Sequence, residues 1–197
     1  MIEILLLYYS RNGATEALAR EVSLGIDSVD GAATRLRTVA PISAVSEAVE
    51  SPVPGTGPPY ATVDDLKDCS GIVMGSPTRF GNMAAPLKYF LDGTGSEWLA
   101  GSLSGKPAGI FTSTSTLHGG QESTALSMML PLLHHGMLIV GLPYTESDLS
   151  TTTTGGTPYG ATHVSWNRDA DALSDEEKRL ARALGARVAA VAIKMSA

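Results

Sequence analysis

The sequence has one cysteine, few charged residues and no long hydrophobic run, and each shortage excludes a class of protein. Of its 197 residues only 17% are charged, and Cys69 is the single cysteine. One cysteine cannot close an internal disulfide, and no apolar run is long enough to cross a bilayer or to serve as a secretion signal. We therefore expect a soluble cytoplasmic protein in which Cys69 is buried packing rather than a nucleophile.

The charge balance and the histidines restrict the ligands. Twenty acidic residues exceed fourteen Lys and Arg, which gives a formal net charge of −6. Nucleic-acid-binding proteins usually carry basic patches, so we expect no nucleic acid partner. His134 and His135 are adjacent and point about a quarter-turn apart on a helix, which prevents both from binding one metal ion. We expect no metal site, although one of the pair could donate a hydrogen bond to another ligand or be structural.

The chain opens with the pattern of a strand, a tight loop and a helix. Residues 2–9 are apolar on both faces, as in a parallel strand that helices cover on each side. Leu18, Val22 and Ile26 then recur at four-residue steps, which places them on one face of a helix. Residues 10–15 therefore form a loop at a helix N-terminus.

This first loop is predicted to bind a phosphate. Unpaired backbone amides and the positive end of the helix dipole favour an anion there. The residues are Ser10, Arg11, Asn12, Gly13, Ala14 and Thr15. Asn12-Gly13 is also a hairpin signal, but the helical spacing that follows excludes a hairpin, while a simple helix cap remains an alternative. The loop is neither a dinucleotide fingerprint nor a Walker loop, so a monoester phosphate held without a metal fits it best.

The rest of the chain alternates strands with helices. Further strands are predicted at residues 33–39 (with an edge-like pattern), 71–74, 108–111 and 137–140. Helices are predicted at residues 64–67, 87–91, 123–135 and from 174 to the end. The alternation predicts an α/β fold with a doubly wound five-stranded parallel sheet, with right-handed connections. We expect one domain across residues 1–197.

Two of these helices carry more detailed predictions. In the helix at 123–135 Pro131 should cause a kink or a local loosening, and the expected buried residues are Leu126, Met129, Leu130 and Leu133. The last helix should begin with a capping box between Ser174 and Glu177. Its expected buried stripe is Leu180, Leu184, Val188, Val191 and Met195.

Three long segments are interpreted as connections. Residues 42–61 contain SPVPGTGPPY, whose prolines exclude regular structure, so we expect a surface excursion or a lid. Residues 93–105 are rich in Gly and Ser and hold Trp98, which should cover a surface. Residues 144–166 are rich in Thr and Gly, and a loop of that length is usually functional, interfacial or disordered.

Two more polar loops follow the third and fourth strands. Residues 75–83 include Arg79 and Phe80, which packing alone explains poorly, although an ordinary loop with one exposed arginine is an alternative. Residues 112–122 are rich in hydroxyl groups and glycine. In a flavodoxin-like sheet of order 2-1-3-4-5, the carboxyl ends of strands one and three form the ligand crevice, where flavin mononucleotide (FMN) fits. Its phosphate would lie on the first loop and its ring across the other two.

These stretches resemble the WrbA-type NAD(P)H:quinone oxidoreductases of the flavodoxin-like superfamily. The resemblance covers essentially the whole chain and is strongest in LYYSRNGATEALA, GSPTRFGNMAAPLKYFLDGTGSEW, GGQE, HHGM and GGTPYGAT. It implies FMN as cofactor, a homotetramer arranged as a dimer of dimers, and two-electron reduction of quinones by NADH or NADPH.

The resemblance also implies roles for individual residues. Those implied to bind FMN are Ser10, Arg11, Asn12, Gly13, Ala14, Thr15, Thr78, Arg79, Phe80, Gly81, Asn82, Ser113, Thr114, Ser115, Thr116 and His134. His134 would reach the flavin from another subunit as the catalytic residue, and Trp98 would form a wall of the substrate space. The chain departs from the family at Asn12, where a tyrosine near the nicotinamide is usual, and at Leu117-His118, which lengthen the third loop.

The expected mechanism is ping-pong: NAD(P)H gives hydride to flavin N5 and leaves, and a quinone then takes both electrons. Two other functions remain open. A single-electron carrier of the flavodoxin type would share the fold, but its acidic docking face is not matched by the modest charge, nor are Trp98 and Tyr159 explained by it. A flavin-binding regulatory or scaffold protein would bind FMN without turnover.

Overall fold

A computed structural model gives the structure of residues 1–42, 55–165 and 172–196. The strands are β1 (Ile2–Tyr8), β2 (Ala32–Thr38), β3 (Gly71–Pro77), β4 (Pro107–Thr114), β5 (Leu138–Ile139) and β6 (Ala161–Val164). The helices are α1 (Ala14–Asp27), α2 (Val63–Asp68), α3 (Ala85–Asp92), α4 (Gly95–Leu99), α5 (Gln121–His134), α6 (Asp148–Thr151) and α7 (Asp175–Ser196). In these described ranges no helix is long and apolar enough to span a membrane.

The strands form one parallel sheet in the order β2-β1-β3-β4-β5, which confirms the predicted flavodoxin-like order. The fifth position is divided between two segments. β5 pairs with the start of β4, and β6 pairs with its last four residues, from Phe111 to Thr114. Both lie on the flank of β4 that faces away from β3, because β3 pairs with much of the same stretch of β4. Residues 140–160 therefore interrupt the fifth strand.

The sheet is buried on both faces, and β1 shows why. Ile4, Leu6 and Tyr8 point to the layer that contains α1 and α7, whereas Leu5 and Leu7 point to the layer of α2, α3 and α5. Successive side chains of a strand alternate between faces, so a strand covered on both sides needs an uninterrupted apolar run. Among the described strands β2 pairs with β1 alone, apart from a single bridge between its last residue, Thr38, and Tyr60, and it is the edge strand that its pattern predicted.

The capping box that begins α7 is confirmed. Ser174 N donates to Glu177 Oε2 at 2.9 Å, and Glu177 N donates to Ser174 Oγ at 3.2 Å. Leu180, Leu184 and Val188 are buried as expected, but Val191 is half-buried and Met195 is exposed. Four residues turn about 40° past a full helical turn, so a strict four-residue step drifts away from the core. Ala189 and Ala192 occupy the buried face instead.

The predicted buried stripe of α5 is wrong for its leucines. Leu126, Leu130 and Leu133 are 44%, 59% and 53% exposed, and Met129 is half-buried. The face against the sheet consists of Gln121, Thr124, Ala125, Met128 and Leu132. Apolar residues occur all around this helix, so periodicity alone could not select the buried side. Pro131 does lie inside α5, and the helix continues to His134.

Two of the three segments interpreted as connecting loops contain regular secondary structure, and the third lies largely outside the described residues. Residues 93–105 contain α4, and residues 144–166 contain α6 and β6, with Trp166 outside the described residues. Of the predicted excursion at 42–61, residues 43–54 lie outside the described residues, so its role as a lid stays a prediction. Cys69 is buried, and burial raises the pKa of its thiol, in agreement with a packing role.

Candidate functional site

The three predicted loops meet around one cavity at the carboxyl ends of β1, β3 and β4. The lining residues are Ser10, Arg11, Asn12, Ala14, Thr15, Pro77, Thr78, Arg79, Ser113, Thr114, Ser115 and Ser165. Ten of them belong to the predicted phosphate and ring contacts at Ser10–Thr15, Thr78, Arg79 and Ser113–Ser115, whereas Pro77 and Ser165 were not predicted. Ser165 was missed because it follows β6, a strand that the sequence pattern did not reveal.

The loop after β1 presents the start of α1 to this cavity. Gly13 is the N-cap of α1 with φ of 87°, a left-handed conformation that glycine adopts readily. Ala17 N donates to Gly13 O at 2.8 Å, which is the first bond of the helix. Glu16 N donates to Ser10 Oγ at 3.3 Å, which fixes the loop across the first turn. The remaining first-turn amides have no acceptor within the helix and are available to an anion.

Buried hydroxyl groups tie the three loops together. Thr15 Oγ1 and Ser113 Oγ, both nearly fully buried, form a hydrogen bond at 2.9 Å between α1 and β4. Thr78 N donates to Ser113 O at 2.9 Å, and Thr78 Oγ1 is 2.7 Å from Thr124 Oγ1 on α5. The cavity wall is therefore fixed by bonds within one chain.

The loop after β3 ends in a tight turn that exposes an aromatic ring. Arg79 and Asn82 exchange backbone hydrogen bonds at 2.7 and 3.0 Å, and between them Phe80 and Gly81 have φ of 53° and 79°. Two central residues with positive φ match a type I′ turn. A bulky residue is unfavourable in that conformation, and strained backbone is often retained at functional sites. Phe80 is also fully exposed, so no packing within the described chain accounts for it.

The cavity has an excess of positive charge. Arg11 and Arg79 both line it, and among its described lining residues none carries a carboxylate. In the described part of the chain neither arginine forms an ion pair, and Arg79 Nη1 donates only to Thr78 O at 2.7 Å. Several arginines elsewhere pair with carboxylates: Arg35 with Glu3, Arg37 with Asp65, Arg179 with Asp148 and Arg182 with Glu21. Two guanidinium groups that form no ion pair among the described residues, in a chain of net charge −6, favour an anion in this cavity.

His134 and Trp98 lie elsewhere in the same chain. Trp98 Nε1 donates to His134 O at 2.8 Å, and both line a second cavity with Thr94, Pro131 and His135. α5 begins at the first cavity and has 14 residues, so its last residue, His134, is about 20 Å away. The roles predicted for His134 and Trp98 at the flavin therefore require another subunit, as expected, and stay predictions.

Several residues of the predicted set lie beside the first cavity rather than in its lining. Gly13, Phe80, Gly81, Asn82 and Thr116 belong to the same three loops but are absent from the lining set. Leu117 and His118 are exposed on the third loop, where Gln121 Nε2 donates to Leu117 O at 3.0 Å. No group of His, Cys, Asp or Glu in the described ranges could hold a metal ion.

The strand order and the anion-binding loop after β1 define a flavodoxin-like mononucleotide-binding protein. Residues 2–148 match the model of the NADPH-dependent FMN reductase family, and the chain belongs to this family. The family resemblance found in the sequence and the FMN cofactor that it implied are thereby confirmed.

Two relatives match this chain over its full length. A protein of Syntrophobacter fumaroxidans named NAD(P)H dehydrogenase (quinone) is 44% identical over 99% of this chain and 99% of its own. A protein of the same name from Solidesulfovibrio magneticus is 40% identical over the whole of both chains. The crystal structure of a flavodoxin, WrbA-like protein from Agrobacterium tumefaciens covers 98% of this chain and 99% of its own with a TM-score of 0.69 and 22% identity. That last likeness shows the fold, and the names of the first two agree with the predicted enzyme class.

Proposed function

We propose that this protein is an FMN-dependent oxidoreductase that reduces quinones to hydroquinones with electrons from NADH or NADPH. The observation that carries the proposal is the cavity at three loop ends, where first-turn amides of α1 lie beside Arg11 and Arg79, and where the described lining residues include no carboxylate and neither arginine forms an ion pair with a described residue. A phosphate monoester matches the charge and the amide donors. The hydroxyl-rich walls from β3 and β4 suit a ribityl chain and the polar edge of a flavin.

Each part of the site has a defined task in this proposal. Residues 10–15 hold the phosphate, with Arg11 as the nearest cation. Residues 78–82 line the isoalloxazine, and the exposed ring of Phe80 offers it an apolar surface. Residues 113–116 hold the ring edge and the ribityl chain, and the bond from Thr15 to Ser113 keeps this wall in register with the phosphate loop.

When bound, FMN would supply the redox chemistry: its N5 would be the acceptor for hydride from NAD(P)H, and a quinone would receive both electrons in a second, ping-pong half-reaction. The chain itself contributes binding, orientation and charge. Arg11 and Arg79 place positive charge beside the cofactor, which favours its more negative reduced form. No protein nucleophile is needed.

The homotetramer is part of the proposal. Leu126, Leu130 and Leu133 form an exposed apolar face on α5, and Leu99 beside Trp98 is also largely exposed. Contiguous exposed apolar residues of this kind mark association surfaces. Association of such faces would bring the cavity with His134 and Trp98 of one subunit to the FMN site of another, with His134 as a hydrogen-bond donor to the cofactor and Trp98 as a wall for the substrate.

The proposal extends to the remaining features of the chain. Residues 1–197 are taken as one FMN-binding domain, and the cytoplasmic location stays a prediction. The sequence and the cavity favour neither NADH nor NADPH, because Asn12 replaces the residue that the resemblance places near the nicotinamide.

An anaerobic absorbance titration of the FMN-loaded protein tests this function. NADPH and then NADH are added, followed by benzoquinone. We expect direct bleaching of the flavin by at least one donor and full recovery of its absorbance on addition of the quinone. A flavin that binds but stays oxidised with both donors would contradict the proposal and favour a carrier or a scaffold.

A further inference from the structure

A fully buried carboxylate on α7 lies behind one wall of the FMN cavity. Glu177 and His163 are both 0% exposed, and His163 Nδ1 is 2.8 Å from Glu177 Oε2. Burial by itself raises the pKa of Glu177, but hydrogen bonds from His163, Ser174 and Gly155 lower it to about 2. The carboxyl group is therefore ionised at neutral pH, and His163 Nδ1 donates the proton of this bond.

Glu177 joins three segments of the chain through four donors. Gly155 N and Val164 N donate to Oε1 at 2.9 and 3.2 Å, while Ser174 N and His163 Nδ1 donate to Oε2 at 2.9 and 2.8 Å. They belong to the segment before β6, to β6 itself and to the residue before α7. Four donors saturate a carboxylate, and removing one buried partner leaves the others unsatisfied.

Glu177 takes the place of a neighbouring strand along the outer edge of β6. β6 pairs with β4 on one side only among the described strands. The Val164 amide, which would otherwise be unpaired at a sheet edge, donates to Glu177. The next residue, Ser165, lines the FMN cavity, and its amide donates to Thr114 O at 3.0 Å.

His163 links the carboxylate to the phosphate side of the cavity. It is the register partner of Ser113 on β4, and register partners on parallel strands project to the same face of the sheet. Ser113 carries the hydroxyl group that bonds to Thr15 at the start of α1. His163 Nε2 has no partner among the described atoms, so the bond to Glu177 is the one that orients the ring.

We propose that Glu177, acting with His163, is a positioning residue for FMN: it fixes β6 against β4 so that Ser165 and Ser113 hold the wall opposite the phosphate loop. Neither residue lines the cavity, so the effect is transmitted through β6. The inference rests on the FMN site proposed above and adds a residue of α7, which lies outside the three ligand loops.

The test compares three full-length variants. Glu177→Gln keeps the shape of the side chain but replaces one acceptor oxygen by an NH2 group, which then faces the N–H groups that donate to Glu177. His163→Leu removes one of these four donors. Asp148→Asn is the matched control, because Asp148 also accepts from α7, through Arg179 at 2.8 and 2.9 Å, and lies in α6. FMN and riboflavin affinities of the apoproteins are measured by quenching of flavin fluorescence, and the melting temperature of each apoprotein is recorded.

We expect Glu177→Gln to weaken FMN binding about tenfold and riboflavin binding by less than about twofold, because the contact that is disturbed is the bond from Ser113 to Thr15 of the phosphate loop, and riboflavin has no phosphate. His163→Leu should show the same selective loss at a smaller size, and it serves as the test if Glu177→Gln does not fold. Asp148→Asn should leave both affinities unchanged. A lower melting temperature with an unchanged ratio of FMN to riboflavin affinity would overturn the inference, because a purely structural residue would give that result.

Hydrogen exchange supplies a second readout that does not depend on turnover. In the unmodified protein FMN should slow exchange of the amides of residues 161–165, and in Glu177→Gln this protection should be lost. Equal protection in both would contradict the inference. If the wild-type chain binds FMN and riboflavin equally well, the proposed phosphate site is overturned together with this inference. If the wild type prefers FMN and the Glu177→Gln variant keeps the same preference, only this inference is overturned.

Discussion

The two ends of α5 differ in what they need from outside the chain. At the start of the helix, Thr124 bonds to Thr78, and Thr162 Oγ1 on β6 donates to Gln121 Oε1. At its end, the Trp98 indole bonds to the main chain of His134, and leucines on the same helix are exposed. The first end lies at the proposed cofactor site and is built by hydrogen bonds within one chain, whereas the second is the surface proposed for association with a partner. Cofactor binding and turnover should therefore respond to different substitutions.

Among the substitutions considered, Leu130→Asp should show the largest difference between its effect on turnover and its effect on FMN binding. The substitution places a charge on the exposed face of α5, where association would have to bury it without a partner. We expect loss of the proposed tetramer in sedimentation velocity and loss of quinone reduction, while FMN affinity falls only by the contribution of the hydrogen bond from the neighbouring His134, about fivefold or less. Leu24→Asp is the control, because Leu24 is similarly exposed but lies on α1, across the sheet. A fully active monomer would contradict the proposed assembly.

Acid should affect the two ends in different pH ranges. The pKa of Glu177 is about 2 in the folded chain against an ordinary value of 4.5 for a glutamate, so its contribution to stability is complete above pH 4.5 and is lost as pH falls toward 2. That contribution is about 3 kcal/mol. Denaturant unfolding between pH 5 and pH 2.5 should show the loss in the wild type and a smaller loss in Glu177→Gln. If the free energy of unfolding falls equally steeply with pH in the two proteins, this assignment of the acid effect to Glu177 is contradicted.

His135, which follows the last residue of α5, should affect stability in a higher pH range than Glu177 does. Burial lowers the pKa of His135 below the ordinary histidine value of 6.5, while Glu97 opposes this shift and His134 adds to it. A folded-state pKa below the unfolded value means that stability is full above pH 6.5 and declines as the unfolded chain takes up a proton below it. His135→Gln should flatten the stability curve between pH 7 and pH 5, and an unchanged slope would show that another group is responsible.

Arg11→Gln should change cofactor affinity alone. Loss of one unpaired guanidinium beside a phosphate should raise the FMN dissociation constant about tenfold and weaken its dependence on salt. Arg187→Gln is the control, because Arg187 donates to Gly141 O and forms no ion pair in the described part of the chain. Isothermal titration at two salt concentrations measures both effects. An unchanged salt dependence would show that Arg11 does not meet the phosphate.

Gly13→Ala should give the smallest of these effects. Both Gly13 and Gly31 have left-handed backbone, with φ of 87° and 88°, so alanine at either position should destabilise the fold by about 1 kcal/mol. Only Gly13 is the N-cap that faces the cavity, so only its substitution should also weaken FMN binding. Equal FMN affinities in the two variants would show that the loop tolerates a change in this turn.

The parts of the fold that were predicted correctly from the sequence depend on residues that are close to one another along the chain. The apolar run of β1, the helical spacing after Ala14 and the capping box of Ser174 and Glu177 are local patterns, and the structure contains all three. The short strand β6 was not predicted, because four residues in a Thr- and Gly-rich segment carry no periodic signal and its pairing with β4 spans about fifty residues.

In the candidate site, too, the features set by local sequence patterns were predicted and those set by long-range contacts were missed. The three loops could be assigned because each follows an apolar strand, and parallel strands end at one edge of the sheet. Ser165 was missed with β6. Glu177 was assigned only to a cap, because its bonds to Gly155 and Val164 depend on tertiary contact. The leucines of α5 were assigned to the core because their spacing cannot distinguish a face that packs against the sheet from one that packs against another subunit.

A subunit-mixing experiment tests the shared site most directly. One variant, Arg11→Gln combined with Thr15→Val, is made deficient in FMN binding, and the other, His134→Ala, binds FMN but lacks the residue proposed to act on a neighbouring subunit. After dissociation and reassembly as a mixture, we predict quinone reduction that neither variant shows alone, because some FMN sites then face an intact His134. Mixed assemblies, verified by native mass spectrometry, that remain inactive would contradict the shared site.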